Sequence, residues 1–120
     1  MNAMHRVVLT AALVLACSGD GAGTAPCGSG GTATSVSACD NFFAPASSPI
    51  VTGSAVTWTW RGANQHNVTF EDGQGSSSTR ASGTHSRTFA GAGTFRYRCT
   101  IHSSGFDPGP GQMAGSVTVQ

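Results

Sequence analysis

Lysine is missing from this 120-residue chain, and charged residues make up only 9% of it. Setting Arg6 aside with the leader described below, five Arg stand against five Asp or Glu, so 5 − 5 = 0. That balance gives no basic footprint for nucleic acid and no polybasic patch for a membrane surface. The four cysteines include no C-x-x-C, which excludes a zinc knuckle and a thioredoxin motif, and no C-x-x-C-H for haem. No apolar run reaches the roughly 20 residues of a spanning helix. Histidine is scarce, four in all, and no internal repeat is visible.

What the chain has is glycine, seventeen of them, with abundant serine and threonine. Such a composition predicts a turn-rich, all-β domain rather than helices, and the length allows one domain at most. Residues 1–16 read as a signal peptide. Arg6 gives the charged start, and Val7 to Ala16 form an apolar run of about ten residues, too short to span a bilayer. Val14-Leu15-Ala16-Cys17 resembles the lipobox of bacterial lipoproteins, which implies that Cys17 becomes residue one and carries a lipid anchor. The alternative is an ordinary signal cut near Ala16. Residues 17–31 have flexible-linker composition, a tether with a reach of roughly 20 Å. Residues 32–120 are then the folded domain, expected outside the cytoplasm (the periplasm or an equivalent space) and held at a membrane.

Within the domain, Thr32 to Ala38 is β-permissive, and Asn41-Phe42-Phe43-Ala44-Pro45 puts two aromatics before a proline. Pro45 and Pro49 assign that region to an edge strand or a loop. Ala55-Val56-Thr57-Trp58-Thr59-Trp60 alternates with a strict period of two and is the clearest strand. His66 to Glu71 alternates again, with His66 at the strand start. Asp72 to Ser78 reads as a polar, mobile loop. His85 to Ala90, Thr94 to Cys99 and Gly115 to Gln120 complete about seven short strands, the pattern of a β-sandwich. Arg96 and Arg98 are expected to face solvent. The core is expected from Trp58, Trp60, Phe70, Phe89, Phe95 and the valines.

Cys99, His102 three residues on, and Met113 further downstream are three of the four side chains that a mononuclear blue-copper site uses. His66 is the candidate for the fourth. Two imidazoles, a thiolate and a weak axial thioether suit copper because thiolate and thioether favour Cu(I) while imidazole serves both oxidation states. Taken alone, each of these residues has an ordinary reading: a buried small thiol, a core methionine, a hydrogen-bonded histidine. Their combination favours ligation. His85 sits on a polar strand and reads as solvated.

Phe43-Ala44-Pro45, Val56 to Trp60, His66-Asn67-Val68-Thr69-Phe70, Gly93 to Cys99, His102 and Met113-Ala114-Gly115-Ser116-Val117 follow one another in a known order. Residues from about 34 to 120 resemble a small cupredoxin of the plastocyanin and pseudoazurin kind. The resemblance implies a Greek-key β-sandwich with one copper ion near one end, held by His66, Cys99, His102 and Met113. It also implies that Asn67 and Thr100 tie the ligand loops together around the metal. The departure is the loop: ten residues, Ser103 to Gln112, separate His102 from Met113, where the family has only a few. Gln112 is therefore an alternative axial donor.

If Cys17 takes a lipid and Cys99 a metal, Cys27 and Cys39 are left. In an exported chain a left-over pair usually forms a disulfide; the alternative is that Cys27 belongs to the tether and stays apart. Such a site without an open position points to electron transfer, with a redox partner protein, a monomeric carrier and no catalytic activity. Copper oxidases and nitrite reductases need further histidine-rich copper sites. A copper delivery protein would carry a Met- or His-rich segment. A metal-free interaction module is the remaining alternative.

Overall fold

The computed structural model describes Cys27 and residues 31–120. The signal peptide expected over residues 1–16, the lipid-bearing Cys17 and most of the 17–31 tether lie outside the described residues. Eight strands follow one another: β1 (Ser35–Cys39), β2 (Phe42–Ala44), β3 (Ser47–Ile50), β4 (Ala55–Trp60), β5 (Thr69–Phe70), β6 (Thr84–Thr88), β7 (Gly93–Arg98) and β8 (Ala114–Val119). They form two four-stranded sheets, ordered β2-β1-β4-β6 and β3-β8-β7-β5. In the first, β1 runs parallel to β4 and the other pairs are antiparallel; in the second, β3 runs parallel to β8. This is the all-β sandwich expected from the sequence. The extra strand arises around Pro45, which separates β2 in one sheet from β3 in the other. Both are edge strands, where Pro49 withholds no amide that the sheet interior needs.

β4 shows why the strands form where they do. Val56, Trp58 and Trp60 are buried and alternate with half-buried Thr57 and Thr59, so one face of the strand supplies the core. Trp58 from the first sheet meets Phe70 and Tyr97 from the second edge-to-face, with ring centroids 5.5 and 5.2 Å apart. Phe43 packs on Tyr97 at 4.9 Å. Each such pair adds about 1 kcal/mol beyond the area it buries. Most of the expected core is present: Phe43, Ile50, Tyr97, Cys99 and Met113 join it, Phe95 is only partly buried, and Val51 is exposed. Gly115 in β8 lets the sheet pass close over Tyr97, since a Cβ there would lie 2.6 Å from the tyrosine ring and hydroxyl.

Two expectations are corrected. The strand from His66 to Glu71 shrinks to Thr69–Phe70, because hydroxyls and loop carbonyls take the backbone groups that a ladder would use. The Val68 and Phe70 amides donate to the hydroxyls of Ser77 and Ser76. His66 instead forms an isolated bridge with Arg80, at 2.9 and 3.0 Å. The same bonds fold the polar loop after Glu71 against β5, so it is not the free loop expected. The Arg87 guanidinium clamps its Asp72 at 2.6 Å and lies 4.3 Å above the Phe70 ring.

Cys27 is disulfide-bonded to Cys39, with Cα atoms 5.7 Å apart. The bridge fastens the end of the tether segment to the last residue of β1. The parallel strands β1 and β4 end side by side, and so bring the turn at Asp40-Asn41 next to the segment that leaves β4 for His66. Asn41 takes the left-handed conformation (φ 70°) that asparagine tolerates better than most residues.

Candidate metal centre

Cys99 follows the last residue of β7, and Met113 precedes the first of β8. The register of this hairpin, Arg98 opposite Ala114, therefore places Cys99 and Met113 side by side at its end. The Cys99 N–H donates to the Met113 carbonyl at 2.9 Å. The Met113 N–H in turn donates to the His102 carbonyl, and the His102 N–H to that of Cys99, each at 3.2 Å. The ten-residue excursion between His102 and Met113 thus leaves and returns at one place. Its length does not carry Met113 away from the other three residues.

The excursion is itself pinned. Gln112 Oε1 accepts from the Ser104 N–H at 2.9 Å and lies 2.8 Å from the Ser103 hydroxyl. Arg98 was expected in solvent. Instead it donates to the Ser103 carbonyl at 2.7 Å and sits 5.0 Å from the Phe106 ring, half-buried beneath the loop. Arg96 stays on the surface and reaches Glu71 and Asp107, both at 2.6 Å.

Among the described residues, His66, Cys99 and His102 bring their donor atoms within 4.8 Å of one another. The two Nδ1 atoms are 3.1 Å apart, and Cys99 Sγ lies 3.5 Å from that of His102 and 3.9 Å from that of His66. A trigonal metal with bonds of roughly 2.0 Å to nitrogen and roughly 2.3 Å to sulfur would set the nitrogens roughly 3.5 Å apart and each roughly 3.7 Å from the sulfur. The three donors fit that triangle to within a few tenths of an ångström. His66, Cys99 and Met113 are fully buried, and His102 is half-buried. A soft thiolate with two imidazoles, in a largely buried site, is a donor set for one copper ion.

Asn67 holds the site together. Its Nδ2 donates to Thr100 Oγ1 at 2.8 Å and to Thr79 Oγ1 at 3.0 Å. Its Oδ1 accepts from the Thr100 N–H at 3.1 Å and from the Thr69 hydroxyl at 2.9 Å. Each polar site of this buried amide has a partner, and the bonds join the His66 segment to the Cys99–His102 turn. The Asn67 backbone N–H also points at Cys99 Sγ, 3.5 Å away, where it favours the thiolate.

One contributor was not read from the sequence. Asp40 Oδ1 lies 2.9 Å from Nε2 of His66. The same carboxylate accepts the N–H groups of Ala63 and Asn64, both at 2.9 Å. Those two amides, with His66 adding to them, lower the Asp40 carboxyl to about 2. Asp40 is separated from His66 by 25 residues of ordinary composition, and an aspartate before an asparagine reads as a turn. Only the parallel pairing of β1 with β4 exposes the relation. His85, expected to be solvated, is half-buried with Nε2 2.7 Å from the Gly75 carbonyl, away from the metal donors.

Asn67→Ala is expected to lower the stability of the copper-free protein by about 2 kcal/mol, because Thr100 and its neighbours lose buried partners. Urea unfolding monitored by tryptophan fluorescence gives the value. Wild-type stability in that variant would mean that the amide ties nothing together.

No family model and no curated protein matches the sequence. Solved structures do. An oxidised amicyanin variant is 28% identical, with a TM-score of 0.59 over 73% of this chain and 82% of its own. A purple cupredoxin from Nitrosopumilus maritimus is 22% identical, with a TM-score of 0.59 over 72% of this chain and 99% of its own. Oxidised plastocyanin from Dryopteris crassirhizoma is 21% identical, with a TM-score of 0.60 over 72% and 99%. The last two speak for the fold. With the amicyanin likeness, they show that this chain has a cupredoxin-like fold, and its His66, Cys99 and His102 cluster is a donor set for a single copper ion.

Proposed function

We propose that this chain is a blue-copper electron-transfer protein, working outside the cytoplasm and tethered to a membrane through Cys17. The observation that carries the reading is the buried triangle of His66 Nδ1, His102 Nδ1 and Cys99 Sγ. A copper(I) form of an amicyanin variant is among the structures that this fold resembles. Bound copper would supply a one-electron Cu(II)/Cu(I) couple.

The chain's own residues do the rest. Both imidazoles would hold a bound copper through Nδ1, and the Asn67 N–H would support the thiolate. The tie from Asn67 to Thr100 keeps the three donors from spreading when the charge at the site changes by one. A site that moves little on reduction suits transfer at a distance better than catalysis on a bound substrate. His102 is the half-buried member of the triangle, next to exposed Ile101, and so is the natural route for an electron to a partner protein.

Met113 would complete the donor set through its thioether. Its side chain is fully buried, and its backbone is bonded to both Cys99 and His102. Gln112, the alternative, spends its carbonyl oxygen on Ser103 and Ser104. The Cys27–Cys39 disulfide supports a location in an oxidising space, since such bonds persist there and not in a reducing cytoplasm. The anchor at Cys17 rests on the Val14-Leu15-Ala16-Cys17 resemblance.

Voltammetry of the copper-loaded protein is expected to show one reversible one-electron wave per chain. Met113→Leu should keep the colour and raise the potential, because losing the axial donor costs copper(II) more than copper(I); each tenfold change in that preference is 59 mV. Gln112→Leu should leave the potential near wild type. A large shift in Gln112→Leu with none in Met113→Leu would move the axial ligand by one residue.

For the tether, Cys17→Ala should leave the protein unprocessed or release it from the membrane fraction. Wild-type protein isolated free and without lipid would rule the anchor out.

A further inference from the structure

We propose that Asp40 is a positioning residue that tunes the copper centre: its carboxylate fixes the His66 imidazole with Nδ1 toward the metal and favours copper(II) over copper(I). The inference rests on the copper reading above and adds a residue to it that neither the ligand set nor the tie between Asn67 and Thr100 contains.

The geometry argues for a dedicated partner rather than a turn residue that happens to be near. Asp40 occupies the two-residue turn between β1 and β2, yet its carboxylate does not close that turn. It reaches instead to the segment leaving β4, where it collects the N–H groups of Ala63 and Asn64 and faces His66 Nε2, all at 2.9 Å. Three donors converging on one carboxylate fix its orientation. Room is made for it as well: at Gly62, any Cβ would collide with Asp40 Oδ1, so glycine at the exit of β4 leaves space for the carboxylate. Cys39, the residue before Asp40, is held by the disulfide to Cys27, which steadies the turn from the other side. His66 is also held by its backbone, through the bridge to Arg80 and through the Trp60 indole N–H, which donates to its carbonyl at 3.0 Å. Ring and backbone are therefore both fixed, and the ring has one nitrogen committed to Asp40.

A ring whose Nε2–H is donated to a carboxylate must present its Nδ1 lone pair on the other side, where His102 Nδ1 and Cys99 Sγ lie. The carboxylate also makes that lone pair more basic, as outer partners of metal-bound histidines do. A more basic donor and a nearby negative charge both favour the higher metal charge. Asp40 should therefore lower the reduction potential.

Two measurements on the full chain test this. The first compares copper-loaded wild type with Asp40→Asn by voltammetry. Asparagine removes the charge and keeps one oxygen, enough for one of the two amides, since Ala63 donates to Oδ2 and Asn64 to Oδ1. The variant is expected to stay coloured while its preference for copper(II) over copper(I) falls about tenfold, the low end of what losing such a partner costs. A tenfold change reads as a rise of 59 mV for one electron. A coloured Asp40→Asn protein with the wild-type potential overturns the proposal and leaves the copper reading standing; a wild type that takes no copper overturns both. The second needs no variant: nitrogen-15 NMR of His66 in copper-free wild type. A proton on Nε2 with Nδ1 bare supports the proposal, and a neutral ring protonated at Nδ1 overturns it, even if Asp40→Asn does not fold.

Discussion

Two imidazole nitrogens 3.1 Å apart, beside a sulfur 3.5 and 3.9 Å away, have no attraction for one another until a cation or a proton comes between them. Bringing them together without one is the constraint that this sandwich satisfies. The donors belong to different parts of the chain: His66 follows β4 in one sheet, and Cys99 and His102 follow β7 in the other. What holds them is packing between the sheets, Trp58 against Tyr97 and Phe70, together with the hydrogen bonds of Asn67 to Thr100 and of Asp40 to His66. The amide of Asn67 is the shortest link across that gap. It is also fully bonded, so it cannot turn aside at no cost.

A site of this kind gains from rigidity. A metal would find its donors already placed. The ten-residue loop is compatible with that because it is closed at its base, where Met113 bonds to Cys99 and His102, and packs over Arg98, which bonds Ser103 and lies against Phe106. Its length is taken up by a fold of its own on the outer face of β7. That outer face lies next to exposed Ile101 and half-buried His102.

Much of this was legible in the sequence, and for identifiable reasons. β4 is written in strict alternation, and the structure places β4 over the same six residues. The spacing of Cys99 and His102 makes one tight turn, so their relation is local and readable. The second histidine was readable from its own neighbourhood, as the residue before Asn67-Val68-Thr69-Phe70. Its backbone state was not: the serine hydroxyls that cap Val68 and Phe70 sit six and more residues away and turn a predicted strand into two paired residues. The covered state of Arg98 depends on where Phe106 returns, and the burial of His85 on the Gly75 carbonyl; alternation along a strand carries neither. Asp40 is the instructive omission. Its partners lie 23 to 26 residues on, and the parallel pairing that brings them close leaves no mark in local composition.

The central claim is that the three donors form a ready-made seat for one copper ion with a thiolate bond. Titrating copper(II) into the copper-free protein while recording the visible spectrum tests it most directly, with Cys99→Ser as the control. The account predicts an intense thiolate-to-copper band that grows linearly and stops at one equivalent per chain, and no such band with serine, a harder and less acidic donor. A colourless wild type, or an equally intense band in Cys99→Ser, would contradict it.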